Sequence, residues 1–426
     1  MDLKGKKLLL MGGAAFSQDL KKYADEKGFK MIAVGKDISR LELFADEAYS
    51  VDTQDVDSLE NIVKTNSIDG IFVGTTEVNI PPAIELSKRT GARFYATADQ
   101  WGVLSNKRSF KNLLNKFGVE TIPEYSIKGG LSDQLYESIE YPVLIKPADS
   151  SGARGITIAN NPEELKNSYL YAESFSATKK VLVEKLMLDM DDVFIRYHMQ
   201  DGIYSISSSF DRYVNTSMGG FGGIAIAYLH PSKHLRSFIE KYDDKFKQIF
   251  NSIGLKNGMI TLQMFVDNKE NYYFYEAGYR LGGSQSYIFT DYINQSNTLQ
   301  YMVNYALTGR MADFSIAERD NPFIDKCCIN LYIALKPGRI QVLDGVENVR
   351  SIPGVLNVTQ FMDRGNTIEK TGSLSQVCIR MHIVGESPIE INKTLTQVYE
   401  KLTILDENGD DMILEKYVYP LGEENK

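Results

Sequence analysis

Cysteine is scarce: three in 426 residues, two of them adjacent (Cys327, Cys328) and the third at Cys378. That count and spacing exclude a disulfide framework and a metal-knuckle pattern, and they fit the reduced inventory of a cytoplasmic protein. Long apolar runs are missing as well. No stretch approaches the roughly 18 residues a membrane span needs, and the lysine-bearing N-terminus lacks a small-residue cleavage site. Positive charge is in deficit, with 47 Lys and Arg against 56 Asp and Glu, a net of −9. A general nucleic-acid or anionic-membrane surface is therefore not expected, and any anion must enter a local basic pocket. Low-complexity segments and internal repeats are absent too. So is the G-x-G-x-x-G spacing: Gly12-Gly13-Ala14-Ala15 does not fit a nicotinamide-binding turn. What remains is ordinary for a soluble chain, 43% hydrophobic and 24% charged, with length for about two to four domains.

The first hundred residues alternate between short apolar runs and helical patterns. Strands are expected at 7–12, 30–34, 48–51 and 70–74, and helices at 16–27 and 56–65. Such alternation with short connections predicts a parallel, doubly wound sheet. Glu77 falls at a strand end, where these sheets place ligands, and it either touches a substrate or caps the next helix. From Ser105 the character changes. An amphipathic helix over 106–117, with Gly118 at its C-cap, opens a second region, so the first boundary lies near residue 104. After Arg310 a linker leads into a small α+β unit.

The stretch from Val143 to Ile156 reads as a buried strand ending in Lys146, followed by a small, glycine-bearing loop. Backbone N–H groups of Ser151, Gly152, Ala153 and Gly155 can turn toward an anion without side chains in the way. Lys146 adds a point charge, placed before the glycines, the reverse of a G-x-x-x-x-G-K-[ST] loop. Taken alone, the window is equally a hairpin turn with a surface lysine. A second glycine-rich loop, 217–223, is either a lid or a long hairpin. His230, just after it, reads as a turn residue. Strands at 258–266 and 271–275 bring Gln263 and Glu276, with Arg280 four residues beyond.

An N-terminal α/β sheet, then Lys107, Lys146 with its glycine loop, Glu184-Lys185, Gln263, Glu276 and Arg280, in that order, resembles the ATP-grasp superfamily. The likeness is to its carbamoyl phosphate synthase large subunit, biotin carboxylase and amino-acid ligase group, and it covers at least residues 5–310. It implies an α/β and α+β architecture: a flavodoxin-like (pre-ATP-grasp) parallel sheet over 1–104, an ATP-grasp domain over 105–312, and a small C-terminal α+β domain over 313–426. Within the middle domain, about 120–200 would be the nucleotide-covering lobe and 201–312 the metal-bearing lobe. The resemblance implies Lys107 and Lys146 on the ATP phosphates and Ser151, Gly152, Ala153 and Gly155 folded over them. Glu184, Lys185, Leu186 and Met187 would form the adenine hinge, with Asp191 on the ribose. Gln263 and Glu276 would hold Mg²⁺ (or Mn²⁺), and Arg280 the acyl phosphate or the acceptor carboxylate.

One position departs from the family pattern. Glu-x-Asn-x-Arg is here Glu276-Ala-Gly278-Tyr-Arg280, which removes the amide of a second metal site. The implied function is an ATP-dependent carboxylate–amine ligase that passes through an acyl phosphate and releases ADP and phosphate. Its partners would be a small carboxylate and an amine, with a homodimer allowed. The alternatives are a nucleotide-binding protein whose ligase activity has lapsed, or a carbamoyl phosphate synthase/biotin carboxylase-like enzyme acting on bicarbonate.

Overall fold

Four apolar runs pair in parallel: β1 (Lys7–Met11), β2 (Lys30–Gly35), β3 (Glu47–Ser50) and β4 (Gly70–Phe72), in the order β3-β2-β1-β4. The coordinates are a computed structural model describing residues 1–12, 16–125, 138–149, 155–219 and 222–421. The central strands of this sheet are buried on both faces, which is why they read as continuous rather than alternating hydrophobic runs. Leu9, Met11, Ile32 and Val34 pack under helices α2 (Val56–Asn66) and α3 (Ile80–Thr90). Leu8, Leu10, Met31 and Ala33 face α1 (Ser17–Lys27) and a helix from much later in the chain, Thr298–Thr308. A Cβ on Gly70 would stand 1.8 Å from the Ala306 carbonyl oxygen, so only glycine permits that helix to approach. The N-terminal sheet is thus sealed by residues outside 1–104.

Helices α4 (Ala98–Ser105) and α5 (Lys107–Lys116) lead into a four-stranded antiparallel sheet: β5 (Glu124–Tyr125), β6 (Val143–Pro147), β7 (Thr157–Ala159) and β8 (Val181–Lys185), ordered β5-β8-β6-β7. The helix Pro162–Ser174 covers one face through Leu165 and Ala172.

The remaining strands build one antiparallel sheet of eight. It contains β9 (Asp191–Gln200), β10 (Ile203–Asn215), β11 (Ile224–His230), β12 (Gly258–Val266), β13 (Tyr272–Gly278) and β14 (Cys327–Ala334), ordered β13-β12-β9-β10-β11-β14. Strands Val377–Gly385 and Val355–Gln360 complete it. The C-terminal strands therefore share a sheet with the strands bearing Gln263 and Glu276, joined where β11 pairs β14. His230, expected in a turn, is the last residue of β11, 1% exposed and bonded through Nε2 to Asn330 Oδ1 at 2.9 Å. No helix among the described residues is long and apolar enough to cross a membrane.

Candidate functional site

The segment after β4 (Glu77, Val78 and Pro81), helix α4, the start of α5 and the β12–β13 edge of the large sheet surround a cavity of about 610 Å³. Lys107, Gln263, Glu276, Glu77, Asp149 and Arg212 all line it. Cross-strand pairing explains two of them. Gln263 and Glu276 are direct partners across β12 and β13, with Gln263 Nε2 donating to Glu276 Oε1 at 3.4 Å. A bulge beside Gln263 throws the strand out of step, and Tyr275, Glu276 and Ala277 all reach the cavity.

Lys107 is the first residue of α5, where Asn106 caps the helix by accepting from Ser109 N at 3.0 Å. A cation here opposes the positive end of the helix dipole. Burial also pushes the Lys107 ammonium down, against the pull of Glu276, and Lys146 pushes the same way. Placing the charge there is locally unfavourable and makes an anion-seeking corner.

One turn on, Lys111 shares a helix face with Lys107. It is 4% exposed and its Nζ contacts Glu184, while donating to the Ile122 carbonyl at 2.9 Å. Lys146 reaches the same carboxylate from β6, 2.5 Å from Glu184 Oε2; the pairing Lys146↔Leu182 makes Glu184 its diagonal neighbour. Burial alone would raise the Glu184 carboxyl, but Lys146 and Lys111 reverse this and hold it below its usual range. Glu184 was expected at the adenine edge. Its side chain is instead 1% exposed and committed to two lysines beneath the site.

Other expected residues are also placed differently. Among the described residues, Lys185, Leu186, Met187 and Asp191 do not line the cavity. Lys185 ends β8 exposed, and Leu186 and Met187 follow half-buried. Asp191, expected on ribose, is pinned at the start of β9 by His234 Nε2 at 2.9 Å and Lys233 Nζ at 2.8 Å. Arg280 lies behind the wall, with Nε and Nη2 on Glu77 Oε1 at 3.0 and 2.9 Å. Glu77 makes no helix-capping bond; its carboxylate takes Arg280. Ser151, Gly152 and Ala153 lie outside the described residues. Gly155 is described at φ +76°, where a Cβ would come within 2.8 Å of Phe175.

Arg212, which the sequence did not point out, lines the cavity from β10 and chelates Asp192 Oδ2 through Nε at 2.6 Å and Nη2 at 2.5 Å. Tyr275 donates to the other Asp192 oxygen at 2.8 Å. The sequence pattern predicts a strand over 202–209, and Arg212 lies three residues past that end on a strand that runs to Asn215.

Residues 106–293 match the family model of the carbamoyl-phosphate synthase L chain, ATP binding domain. The chain has the ATP-grasp fold. The chain is 28% identical over 180 residues to the arginine-specific carbamoyl phosphate synthase large chain of Bacillus subtilis, covering 39% of its own length and 17% of that protein. Over 282 residues it is 20% identical to the formate-dependent phosphoribosylglycinamide formyltransferase of Aliivibrio fischeri, covering 64% and 69%. Its fold is similar to the biotin carboxylase domain of Hydrogenobacter thermophilus 2-oxoglutarate carboxylase, solved with MgADP and bicarbonate: TM-score 0.76, 19% identity, 94% of this chain and 90% of that one. The L-amino acid ligase of Bacillus licheniformis also gives a TM-score of 0.76, at 17% identity, over 95% and 100%.

The Asp191 cluster carries a pH signature. Burial pushes the His234 imidazole down, but Asp191 and Glu270, the latter at 2.7 Å from Nδ1, hold it above its usual value. A raised histidine contributes stability that is complete below the unfolded value of about 6.5 and is lost as pH rises through the folded one. The stability advantage of the wild type over His234→Gln is therefore expected to be flat near pH 6 and to shrink above it, in urea denaturation at stepped pH. An advantage that grew with pH would contradict the assignment.

Proposed function

We propose that this chain is an ATP-dependent ligase that activates a small carboxylate as its acyl phosphate and joins it to an amine, releasing ADP and phosphate. The convergence of Lys107, Gln263, Glu276 and Glu77 on one cavity carries this reading. Lys107, at a helix N-terminus, suits a phosphate oxygen. Gln263 and Glu276 offer one neutral and one anionic oxygen side by side. That set fits Mg²⁺, or Mn²⁺ as the alternative, because such cations keep waters and take their other oxygens from the nucleotide. Among the described residues no cluster of three His, Cys, Asp or Glu competes for this role. When bound, the cation neutralises charge on the transferring phosphoryl group.

Arg280 would meet the acceptor by exchanging Glu77 for it, keeping its planar fork oriented meanwhile. The similarity to an amino-acid ligase supports the carboxylate–amine reading. The likeness to a carboxylase solved with bicarbonate supports the rival in which bicarbonate is the acid. That neighbour is described as a domain dimer, and a homodimer is proposed here on that basis.

Hydroxylamine decides the chemistry. With protein, ATP, Mg²⁺ and a panel of carboxylates that includes bicarbonate, a hydroxamate is expected to accumulate with ADP as its nucleotide co-product. Arg280→Ala is expected to lower the hydroxamate rate by about 10²–10³ while sparing ATP binding. AMP as the product, or ATP left intact across the panel, would remove the ligase reading.

A further inference from the structure

Away from the nucleotide cavity, two buried guanidinium groups have no carboxylate partner among the described residues: Arg380, held by the Gly283 carbonyl and Gln285 Oε1, and Arg196. Arg212 is neutralised by Asp192 and Arg280 by Glu77. Arg196, on β9, is 6% exposed and has only neutral partners. Its Nε donates to Thr261 Oγ1 at 3.3 Å, its Nη2 to Ser284 Oγ at 2.8 Å, and its guanidinium carbon lies 4.8 Å from the centre of the Phe210 ring. Among the described residues no carboxylate pairs with it, and its Nη1 makes no hydrogen bond. Burial pushes this guanidinium down to about 10, so the charge persists at neutral pH. A buried, unpaired cation is strongly unfavourable unless an anion joins it.

Beside it lies a cavity of about 10 Å³ lined by Arg196, Gly282 and the hydroxyl residues Ser208, Ser286, Thr290 and Thr298, with Met259, Leu281 and Tyr287 closing the rest of its wall. Three of those hydroxyls are engaged: Thr290 donates to the Ser296 carbonyl at 2.6 Å, Thr298 bonds His198 at 2.6 Å, and Ser286 bonds Ser284 at 3.0 Å. Ser208, 8% exposed, makes no side-chain hydrogen bond among the described residues. A Cβ at Gly282 would fall 2.5 Å from Arg196 Nη2, so glycine is what brings this backbone against the guanidinium. The volume admits one occupant the size of a water molecule. A carboxylate or phosphate head is too large. Water would fill the space but leave the charge unmatched.

We propose that this cavity is a binding site for a monatomic anion, chloride or bromide, held by the Arg196 guanidinium and the Ser208 hydroxyl. The site lies against the segment Gly282–Ser286, which continues from Arg280 and is fixed to the large sheet by Asn330 and His382, both donating to the Ser284 carbonyl at 3.0 and 2.9 Å. A bound halide therefore firms the segment that follows Arg280, whatever reaction the neighbouring cavity performs.

Thermal unfolding of the full chain in sodium chloride, bromide and gluconate at matched ionic strength tests this. Chloride and bromide are expected to give a saturable rise in Tm of about 2 °C that gluconate lacks. Ser208→Ala should raise the half-saturating halide concentration about tenfold, in line with the loss of one hydrogen bond to a charged group. Arg196→Met should abolish the response. Crystals soaked in bromide should show an anomalous peak within hydrogen-bond distance of Arg196. Equal Tm in chloride and gluconate overturns the proposal, as does an undiminished halide response in Arg196→Met. Should Arg196→Met not fold, an unchanged half-saturation in Ser208→Ala overturns it equally.

Discussion

Glu184→Gln is expected to destabilise the protein by about 3–5 kcal/mol, and added nucleotide to restore part of that loss. The carboxylate is 1% exposed and lies between the Nζ atoms of Lys111 and Lys146, themselves 4% and 5% exposed. Neutralising it leaves two ammonium groups buried together, and breaking a buried ionic group by removing one member costs far more than the group contributes net. A polyphosphate arriving beside Lys107 would supply the missing negative charge. The ADP-induced gain in urea midpoint should therefore be larger in Glu184→Gln than in the wild type. Equal gains would mean that the lysines answer to Glu184 alone and never to nucleotide.

Glu276→Ala should lower ADP release by about 10²–10³ and shift the Mg²⁺ requirement upward, with a smaller shift for Gln263→Ala. The two residues are direct strand partners facing the same cavity, but only Glu276 brings a formal charge to the cation. Metal titrations at saturating ATP separate them, and the reverse order would relocate the cation. Gly278→Asn is the companion test. A Cβ built there meets nothing within 4 Å, and the backbone is not in the left-handed region. The change should be tolerated and, if a second cation is missing only for want of an amide, should raise the Mg²⁺-dependent rate.

The strands were legible because burial writes them directly. Leu8 to Met11 and Val143 to Ile145 are apolar runs with no solvent face. Gln263 and Glu276 were legible as a pair because family order and a short turn between strands bring them into register. Lys111 was not. A lysine on an amphipathic helix looks solvated, and its buried partner Glu184 lies 73 residues on, with no local trace. Arg212 was missed because the strand was expected to stop at Ser209, whereas it runs on to Asn215 through the polar Asp211. In the folded chain Ser209 and Asp211 meet Ser232, so polar residues inside a strand are satisfied at long range. Asp191 was assigned to ribose by position in the family order, whereas the side chain is claimed by His234, which the sequence places 43 residues away. The C-terminal strands could be recognised as strands, yet nothing in their sequence said which sheet they would extend.

That last pairing decides how the molecule can be cut. A fragment ending at residue 293, where the family match stops, would keep β9 to β13 but lose β14. The Ala227–His230 stretch of β11, which pairs Cys328–Leu331, would then present open N–H and C=O groups along a fully buried, apolar strand. Such an edge is a template for adding strands from other copies. It would also lose residues 298–308, stripping one face of the N-terminal sheet. A minimal nucleotide-binding fragment drawn from the matched region would be a sticky half-molecule, and useful truncations have to stop at the far side of the sheet.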